Sequence, residues 1–508
     1  MNYPKNRGLA LLIAIAGLGG FLYGVDFGVI AAAEPYMKAL GIYSEMQISQ
    51  VVGAVLLGGI IASLTAGILA EKFGRKRMIV VSAMMFLVAI PIVSLSLGSY
   101  PVEVFGPRSR ADAMPIRVDL LFCALFAGRV LQGMSAGYMA VIMPMYLTET
   151  LPPSIRGRGT GVFQFCLGLG LVVAAGAGCL VATYYGASDA KELSQSGMAA
   201  AWRANFWWTM LPVAVLFFGS LRLPESPVWL KKKFESLKVR KFESVEVGES
   251  GSPNADGDIS NPQTLKPSNL QTSQTSQTSQ TLLQRRYVVP FLLACLVLTF
   301  NKTTGMSSFT SYLVTILHSA GFEGIYANWG QLAVKLTNML VTIAAAALVD
   351  RKGRTWLLRV GTGGMTLGLA AIGSVFLAIE HFGMQANNFT GLLTMFAFFF
   401  MQVFYALGPG LCVWLVLSEL MPARIRANGM AIALFMNQLV AWGLASWFRP
   451  WVKAWGWSSM FFFFAVNGVL YFITACFIPE TKGKSLDELE NLFSAPDEKT
   501  KAERQASA

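Results

Sequence analysis

Ionisable side chains inside long apolar runs are the residues of this chain whose positions most clearly suggest chemistry. Asp26 lies in the stretch GGFLYGVDFG, within an apolar run from about residue 8 to residue 33. Such a run can cross a bilayer, where an ionised carboxylate costs about 2.5–3.5 kcal/mol on insertion scales. Arg129, Lys302 and Lys335 lie in other apolar runs. Charges at such depth mark substrate pathways and proton relays, so these four residues are candidates for transport chemistry.

The composition predicts a membrane protein with many spans. The chain has 508 residues, of which 54% are hydrophobic and 13% charged, and its mean hydropathy is +0.52. The apolar runs predict twelve spans, near residues 8–33, 47–70, 78–98, 118–147, 159–185, 204–222, 287–316, 326–349, 355–380, 389–418, 428–448 and 457–478. The first run is too long for a signal-peptide core, so it is predicted to be a retained span.

Basic residues in the short loops predict the orientation. The loops after the second, fourth, eighth and tenth spans carry Lys72, Arg75, Lys76, Arg77, Arg156, Arg158, Arg351, Lys352, Arg354, Arg424 and Arg426. By the positive-inside rule, these loops and both termini are cytoplasmic. The net charge of +12 therefore reflects orientation, and it gives no reason to expect a nucleic-acid partner.

A polar segment divides the chain into two groups of six spans. Residues 1–230 are predicted to form an N-terminal six-helix bundle and residues 287–480 a C-terminal one, followed by a cytoplasmic tail at 481–508. Residues 231–286, which include QTSQTSQTSQT, cannot bury a core and are predicted to be a disordered cytoplasmic linker. We favour a plain tether; a regulatory role is the alternative.

The two halves repeat one another in sequence. LTETLPPSIRG at 147–157 matches LSELMPARIRA at 417–427, and GILAEKFGRKR at 67–77 matches AALVDRKGRTW at 346–356. Three paired motifs in one order, the third being PESP and PETKGKSL, predict parallel repeats that rock about a central site. Charged residues of these motifs are predicted to form a cytoplasmic gate: Glu71, Arg75, Arg77, Glu149, Arg156, Asp350, Arg354, Glu419 and Arg426. Taken singly, each is also explained as a solvated charge that fixes topology.

Seven ordered motifs resemble those of the sugar porters of the major facilitator superfamily. They are GGFLYGVDFGVI, GILAEKFGRKR, GRVLQGMSAGYMAVIMPMYLTETLPPSIRG, PESPVWL, VDRKGR, GPGLCVWLVLSELMPARIR and PETKGKSLDELE. The resemblance implies an all-α membrane protein with twelve transmembrane helices in two six-helix bundles. It also implies proton-coupled symport of a sugar or sugar-like solute by alternating access. Val228 departs from the family pattern, where the motif usually carries Arg, and Glu71 replaces an Asp or Asn.

The resemblance gives Asp26 and Arg129 a role. Asp26 matches a position that is Asp in proton-coupled sugar porters and commonly Asn in uniporters, and Arg129 matches a buried Arg of the family. Burial and a neighbouring guanidinium act oppositely on the protonation of a carboxylate. The hypothesis is that Asp26 binds the coupling proton and that Arg129 is its alternating partner. A permanent structural ion pair is the alternative.

Four further residues match sugar-binding positions of the family: Gln164, Asn338, Trp414 and Asn437. Amide side chains both donate and accept hydrogen bonds, and aromatic faces suit the C–H surface of a sugar. Each amide is also explained as an interhelical hydrogen bond, and Trp414 as packing.

The seventh predicted span departs from the family. Sugar porters typically carry QQxxGxNxxxYY there, whereas this chain has NKTTGMSSFTSY, so Asn301, Lys302 and Ser307 replace amide side chains. Lys302 and Lys335 are predicted to lie at similar depth, and two ammonium groups in hydrocarbon need neutralisation. An anionic sugar derivative, a uronate or an aldonate, is therefore an alternative to a neutral sugar or polyol.

Other function classes are less well supported. A transporter-shaped sensor that binds without flux is a second alternative. Enzyme function is disfavoured because no nucleophile, metal cluster or phosphate loop is present, and no cofactor or metal is expected. The expected partners are the solute, a proton and the lipid bilayer, with the chain a monomer in a bacterial cytoplasmic membrane.

Overall fold

The computed structural model is helical wherever it describes secondary structure. It describes residues 6–96, 110–152, 156–186, 193–231, 233–234, 285–322, 324–421 and 426–480. The first half contains α1 (Asn6–Ala39), α2 (Glu45–Phe73), α3 (Arg75–Leu95), α4 (Arg110–Thr150), α5 (Arg156–Tyr185), α6 (Gln195–Trp207) and α7 (Met210–Leu221). The second half contains α8 (Arg285–Thr303), α9 (Met306–Ser319), α10 (Tyr326–Lys352), α11 (Arg354–His381), α12 (Asn388–Leu407), α13 (Pro409–Leu420) and α14 (Arg426–Phe477).

These helices form twelve membrane spans, as predicted. Within the described ranges, 11 helical stretches are long and apolar enough to cross a bilayer. The last of them, Ile432–Phe477, has 46 residues and is bent at Gly456, whose φ of 79° and ψ of 168° interrupt α14. It therefore holds two spans. The all-α membrane fold expected from the sequence is confirmed.

Each half is a bundle, and among the described residues three pairs of helices make the most extensive contacts between the halves. In the first half α1 packs on α5 and α2 on α4; in the second, α11 packs on α14. Between the halves, α2 contacts α14, α5 contacts α10 and α1 contacts α9. The α2–α14 approach is close because Gly53 has no side chain: a Cβ there would lie 2.3 Å from Ser446 Oγ. We call the end of the molecule where α1 begins and α14 ends the inner end, and the opposite end the outer end.

The sequence repeat has a physical counterpart at the inner end. Glu225 of the PESP motif accepts hydrogen bonds from the backbone N–H groups of Arg75 (2.9 Å) and Lys76 (3.0 Å). Glu480 of the PETK motif accepts equivalent bonds from Arg354 (3.0 Å) and Thr355 (3.2 Å). In each half a glutamate thus satisfies the free N–H groups at the start of a helix and complements its dipole.

Glycines precede both of these helices. Gly74 has φ 97° and Gly353 has φ 92°, and a Cβ at these positions would lie 2.4 and 2.6 Å, respectively, from an oxygen of the capping carboxylate. The same turn, built twice from the same residue types, agrees with the predicted parallel repeat.

Some predictions fall outside the described residues. They concern most of the 231–286 linker and all of the 481–508 tail. The helices that carry Arg156, Asp350, Glu419 and Arg426 are described, but the side chains of these four residues are not.

Candidate functional site

Asp26 and Arg129 form a buried ion pair inside the first half. Arg129 Nη1 on α4 lies 3.3 Å from Asp26 Oδ1 on α1. Only 4% of Asp26 and 1% of Arg129 are exposed. Arg129 Nη1 also donates to Gln132 Oε1 at 2.8 Å. The amide of Gln132, one turn further along α4, therefore shares the guanidinium with the carboxylate.

The ion pair keeps unused hydrogen-bonding capacity. Asp26 Oδ2 and Arg129 Nε have no hydrogen-bond partner among the described residues. Asp26, Gln132 and Thr209 contribute to the lining of a cavity of about 10 Å³ that is otherwise mainly apolar. A cavity of about 10–15 Å³ is the smallest that holds one water, which needs two or more polar partners. Asp26, which keeps one oxygen without a hydrogen bond, thus lines a space about the size of one water.

The seventh span is broken at the residues that depart from the family motif. The sequence predicted one run over 287–316, but α8 ends at Thr303 and α9 begins at Met306, with Gly305 in the left-handed conformation (φ 80°, ψ 8°). Lys302 lies in the last turn of α8, and Ser307 in the first turn of α9. Discontinuous helices at mid-membrane expose backbone polar groups and commonly line transport sites.

A polar stripe runs along α10. Asn328, Gln331, Lys335 and Asn338 recur at spacings of three and four residues and therefore share one face. Lys335 is 5% exposed and Gln331 is 0% exposed. Both amide atoms of Gln331 lack a hydrogen-bond partner in the described part of the chain. Sequence analysis missed Gln331, although its spacing from Lys335 was a usable signal.

No carboxylate among the described residues forms an ion pair with Lys302 or Lys335. Lys302 is half-buried and Lys335 is buried. The two lysines that were predicted to lie within membrane spans are therefore inside the second half, without a described counter-ion.

The other predicted substrate residues have different surroundings. Gln164 is exposed and lies one turn before Gly168, on the same face of α5; a Cβ at Gly168 would lie 3.5 Å from Met339 of α10. Trp414 on α13 is 48% exposed and Asn338 is half-buried.

Two of the predicted amides are buried within the second half. Asn437 donates to the carbonyl of Leu298 at 3.1 Å, which joins α14 to α8. Asn301 is buried beside Tyr405 and Tyr471. Within the described residues, neither amide forms a hydrogen bond with Gln164 or Trp414.

At the inner end, part of the predicted gate is paired. Arg75 of α3 contacts Glu149 of α4 through Nη2 at 2.8 Å and Nε at 3.2 Å. The other Glu149 oxygen accepts a hydrogen bond from Ser226. Glu71 and Arg77 are exposed, and Arg354 is half-buried. The Arg75–Glu149 pair lies within the first half, so it ties α3 to α4.

A known protein family matches nearly the whole chain. The family profile described as "Sugar (and other) transporter" matches residues 12–493. The chain belongs to the sugar transporter family. Relatives in this family include the arabinose-proton symporter of Bacillus subtilis, 26% identical over 502 residues and covering 97% of each chain. The galactose-proton symporter of Escherichia coli is 26% identical over 498 residues, covering 96% of this chain and 95% of the relative.

Solved structures of the family share the fold. The crystal structure of a D-xylose-proton symporter superposes with a TM-score of 0.71 at 21% identity, covering 94% of this chain and 99% of that one. An inward open xylose transporter from E. coli gives a TM-score of 0.70 at 22% identity, covering 95% and 99%. This family comprises transporters, and the chain is accordingly a multi-pass membrane transporter and not an enzyme.

Proposed function

We propose that this chain is a proton-coupled symporter of a sugar or sugar-like solute that works by alternating access. The two bundles would rock about a site between them, opening it to one side of the membrane at a time. The named relatives that couple arabinose or galactose to protons support this proposal. The observation that carries it is the buried Asp26–Arg129 pair, because a carboxylate in the membrane that keeps one oxygen without a hydrogen bond and lines a small cavity is suited to proton exchange.

Asp26 is the proposed proton carrier and Arg129 its partner. When Asp26 is protonated, Arg129 retains Gln132 as an acceptor, at 2.8 Å. The guanidinium therefore need not be left without a hydrogen bond while the carboxyl is neutral. Neutralising one partner of a buried ion pair leaves the other charge without a counter-charge. The hydrogen bond from Arg129 to Gln132 lowers the free-energy cost of that state.

The proposed solute site lies between the halves near the helix break at Gly305. Gln164 of α5 and the polar stripe of α10 are proposed to supply side chains to this site, since α5 and α10 pack against each other between the halves. Asn301, Lys302, Ser307, Trp414 and Asn437 are proposed to line or support the same site. Asn437 already donates to a backbone carbonyl, so its proposed role is to hold α8 against α14.

The inner end is proposed to face the cytoplasm. The basic loops support this orientation. The charged residues of the repeated motifs are proposed to form a gate there; the described Arg75–Glu149 pair lies within the first half, so its proposed role is to hold α3 against α4. We also propose that residues 231–286 are a cytoplasmic tether, and that the chain is a monomer in a bacterial cytoplasmic membrane.

An anionic sugar derivative is a second candidate solute. It is favoured by one observation: Lys335 is 5% exposed and has no described carboxylate partner, and Gln331 beside it has two unsatisfied amide atoms. A uronate or aldonate carboxylate would neutralise a lysine, and its hydroxyls would satisfy the amide.

Uptake into proteoliposomes under an imposed pH gradient tests both candidates. Arabinose, xylose, galactose, glucose, polyols, glucuronate and gluconate are offered separately, and proton movement is recorded alongside solute uptake. Asp26→Asn is expected to abolish uphill accumulation while sparing solute exchange, because exchange needs no net proton transfer. Unchanged accumulation in Asp26→Asn would refute the coupling role, and binding without flux would identify a sensor.

The lysines are tested in the same assay. If the solute is anionic, glucuronate or gluconate is accumulated and Lys302→Met or Lys335→Met lowers its apparent affinity by tenfold or more. Accumulation of neutral sugars alone, with sugar acids ignored, would reject the anionic candidate.

A further inference from the structure

A second buried carboxylate lies nearer the outer end of α1 and has no place in the proton chemistry described above. Glu34 follows Asp26 by eight residues, which places it about 12 Å further along the helix. Its exposed fraction is 0%. A fully buried carboxylate is retained only where charges or hydrogen bonds compensate it, so its partners indicate its purpose.

The partners of Glu34 come from the opposite half. Arg449 of α14 forms an ion pair with one Glu34 oxygen, and the hydroxyl of Thr315 on α9 donates to the other at 2.5 Å. Arg449 Nε also lies 2.8 Å from an oxygen of Glu45, at the start of α2. One arginine of the second half therefore holds two carboxylates of the first.

Further contacts hold the same four helices together. The backbone N–H of Arg449 donates to Ser49 Oγ of α2 at 3.2 Å. The hydroxyl of Tyr312 on α9 donates to the same oxygen at 3.4 Å, and the Arg449 guanidinium lies 6.0 Å from the centre of the Tyr312 ring. We call the six residues of these contacts the outer cluster: Glu34, Glu45, Ser49, Tyr312, Thr315 and Arg449.

The ion pairs of the outer cluster join the two halves, whereas the other buried ion pairs among the described residues lie within one half. Asp26–Arg129 and Arg75–Glu149 each connect helices of the first half. Rocking of two rigid bundles leaves such pairs intact. The ion pairs of Arg449 cross from one half to the other, so the bundles cannot part at the outer end without breaking them.

We infer that Glu34, Glu45 and Arg449 form an ion-pair latch that holds the outer end closed and sets the balance between outward-closed and outward-open states. The latch rests on the alternating-access function proposed above, because it acts only if the halves separate there. Hydrogen bonds between charged groups are the stronger ones, and water must enter to replace them when the latch opens. Neutralising Glu34 leaves Arg449 with Glu45, whose side chain is 34% exposed and therefore a weaker anchor.

Distances between spin labels across the outer end test the latch. Lys38 at the end of α1 and Ala454 of α14 are exposed and lie on different halves. Lys38→Cys and Ala454→Cys, introduced where the six native cysteines have been replaced, carry the labels in proteoliposomes without solute or pH gradient. Glu34→Gln keeps the shape of the side chain and removes its charge. It is expected to raise the ratio of molecules with a long label-to-label distance to those with a short one by about tenfold, since a charge-assisted hydrogen bond across the halves is lost.

A matched control lies at the same end of the molecule. Glu380 of α11 accepts hydrogen bonds from the N–H groups of Trp457 (2.6 Å) and Ser458 (3.1 Å), all within the second half. Glu380→Gln removes an exposed carboxylate at the same end of the molecule without touching a contact between the halves. It is expected to leave the distance distribution unchanged, and a shift equal to that of Glu34→Gln would overturn the latch.

Three further variants complete the test. Arg449→Gln and the Glu34→Gln/Arg449→Gln double variant should each open the outer end, and the double effect should fall well short of the product of the single ones because the residues act as a pair. Thr315→Val should shift the ratio in the same direction by a smaller factor, with the ion pair kept.

Unchanged distances in Glu34→Gln protein that elutes as a monodisperse peak would refute the latch, as would independent effects of the two charge variants. These distances are measured without transport. Failure of the protein to accumulate any solute would refute the proposed function. The distance measurement would still decide whether the ion pairs hold the halves together.

Discussion

At the scale of single residues, the charges within the membrane fall into two kinds. Arg129 has two described acceptors, Asp26 and Gln132, and all three residues are buried. Lys302 and Lys335 have no described counter-ion. Arg129 keeps Gln132 as an acceptor even when Asp26 takes up a proton, whereas a lysine without a counter-ion is costly until something binds it. The first kind suits proton coupling and the second suits solute recognition.

Gln132 offers a residue-scale prediction. Gln132→Met removes the acceptor at 2.8 Å from Arg129 Nη1 and keeps the volume of the side chain. A buried charged donor that loses a partner costs about 1–3 kcal/mol, so the apparent melting temperature in detergent should fall. Proton-driven uptake should also slow, because Arg129 is then held by Asp26 alone.

Gln195→Met is the control for Gln132→Met. Gln195 is exposed at the start of α6, where a surface substitution is expected to change stability by less than about 0.5 kcal/mol. Equal melting temperatures for the two variants would show that Gln132 contributes nothing to holding Arg129.

At the scale of helices, the spans are interrupted where the chain needs polar backbone. The seventh span breaks at Gly305 and the tenth at Gly408, where α12 gives way to α13. At Gly408 a Cβ would lie 2.3 Å from the carbonyl oxygen of Leu357, so only glycine permits that approach of α13 to α11. Such breaks in lipid are tolerated where the freed backbone groups are buried in protein or line a cavity.

Gly305→Ala is the prediction at this scale. The residue has φ 80°, and an added Cβ would lie 2.8 Å from the ring of Phe464. The left-handed conformation costs an alanine about 1–2 kcal/mol, and displacing the packed ring adds about 1–3 kcal/mol. The apparent melting temperature of Gly305→Ala should therefore fall clearly.

Gly324→Ala separates the two costs. Gly324 has φ 59°, and nothing lies within 4 Å of the position that its Cβ would take. This variant carries the backbone strain without the collision. If both variants lose the same stability, the contact with Phe464 is not what requires glycine at position 305.

At the scale of the whole molecule, the halves are joined by surfaces that differ in kind. The α2–α14 contact relies on small residues such as Gly53, and the outer cluster relies on charge. Small residues allow helices to slide or tilt while staying close, whereas ion pairs are either made or broken. These properties fit a molecule whose halves rock about the α2–α14 contact while the ion pairs of the outer cluster hold the outer end closed.

Deleting residues 262–281 tests the tether at this scale. The segment is polar and low in complexity, so its removal should leave solute uptake and the apparent melting temperature unchanged. A replacement by Gly and Ser of equal length is the control for composition. Loss of uptake on deletion, at normal membrane levels and with uptake kept in the replacement, would show that the length of the segment matters; loss in both would point to a sequence-specific role.

The fold could be predicted from the sequence because its causes are local and repeated. Twelve apolar runs and basic loops follow from the cost of placing polar groups in lipid, which acts on each segment separately. The paired motifs predicted the repeat, and in the structure Glu225 and Glu480 cap the starts of matching helices, α3 and α11, in the two halves. Asp26 and Arg129 were found because a charge in an apolar run is visible without coordinates.

The tertiary structure decided the contacts between distant residues. Glu34 and Arg449 are separated by 415 positions, and no spacing rule relates them. Gln132 and Gln331 differ from other amides only in what surrounds them, which depends on how helices pack. The sequence by itself determined which segments cross the membrane and which charges lie in the middle of apolar runs, because lipid selects for those properties one helix at a time. It did not single out Glu34 and Arg449, which lie just past the ends of the predicted spans 8–33 and 428–448. Only the packing of the two halves decided which buried charges share a partner, because ion pairing requires an approach of a few ångströms between helices that are remote in the chain.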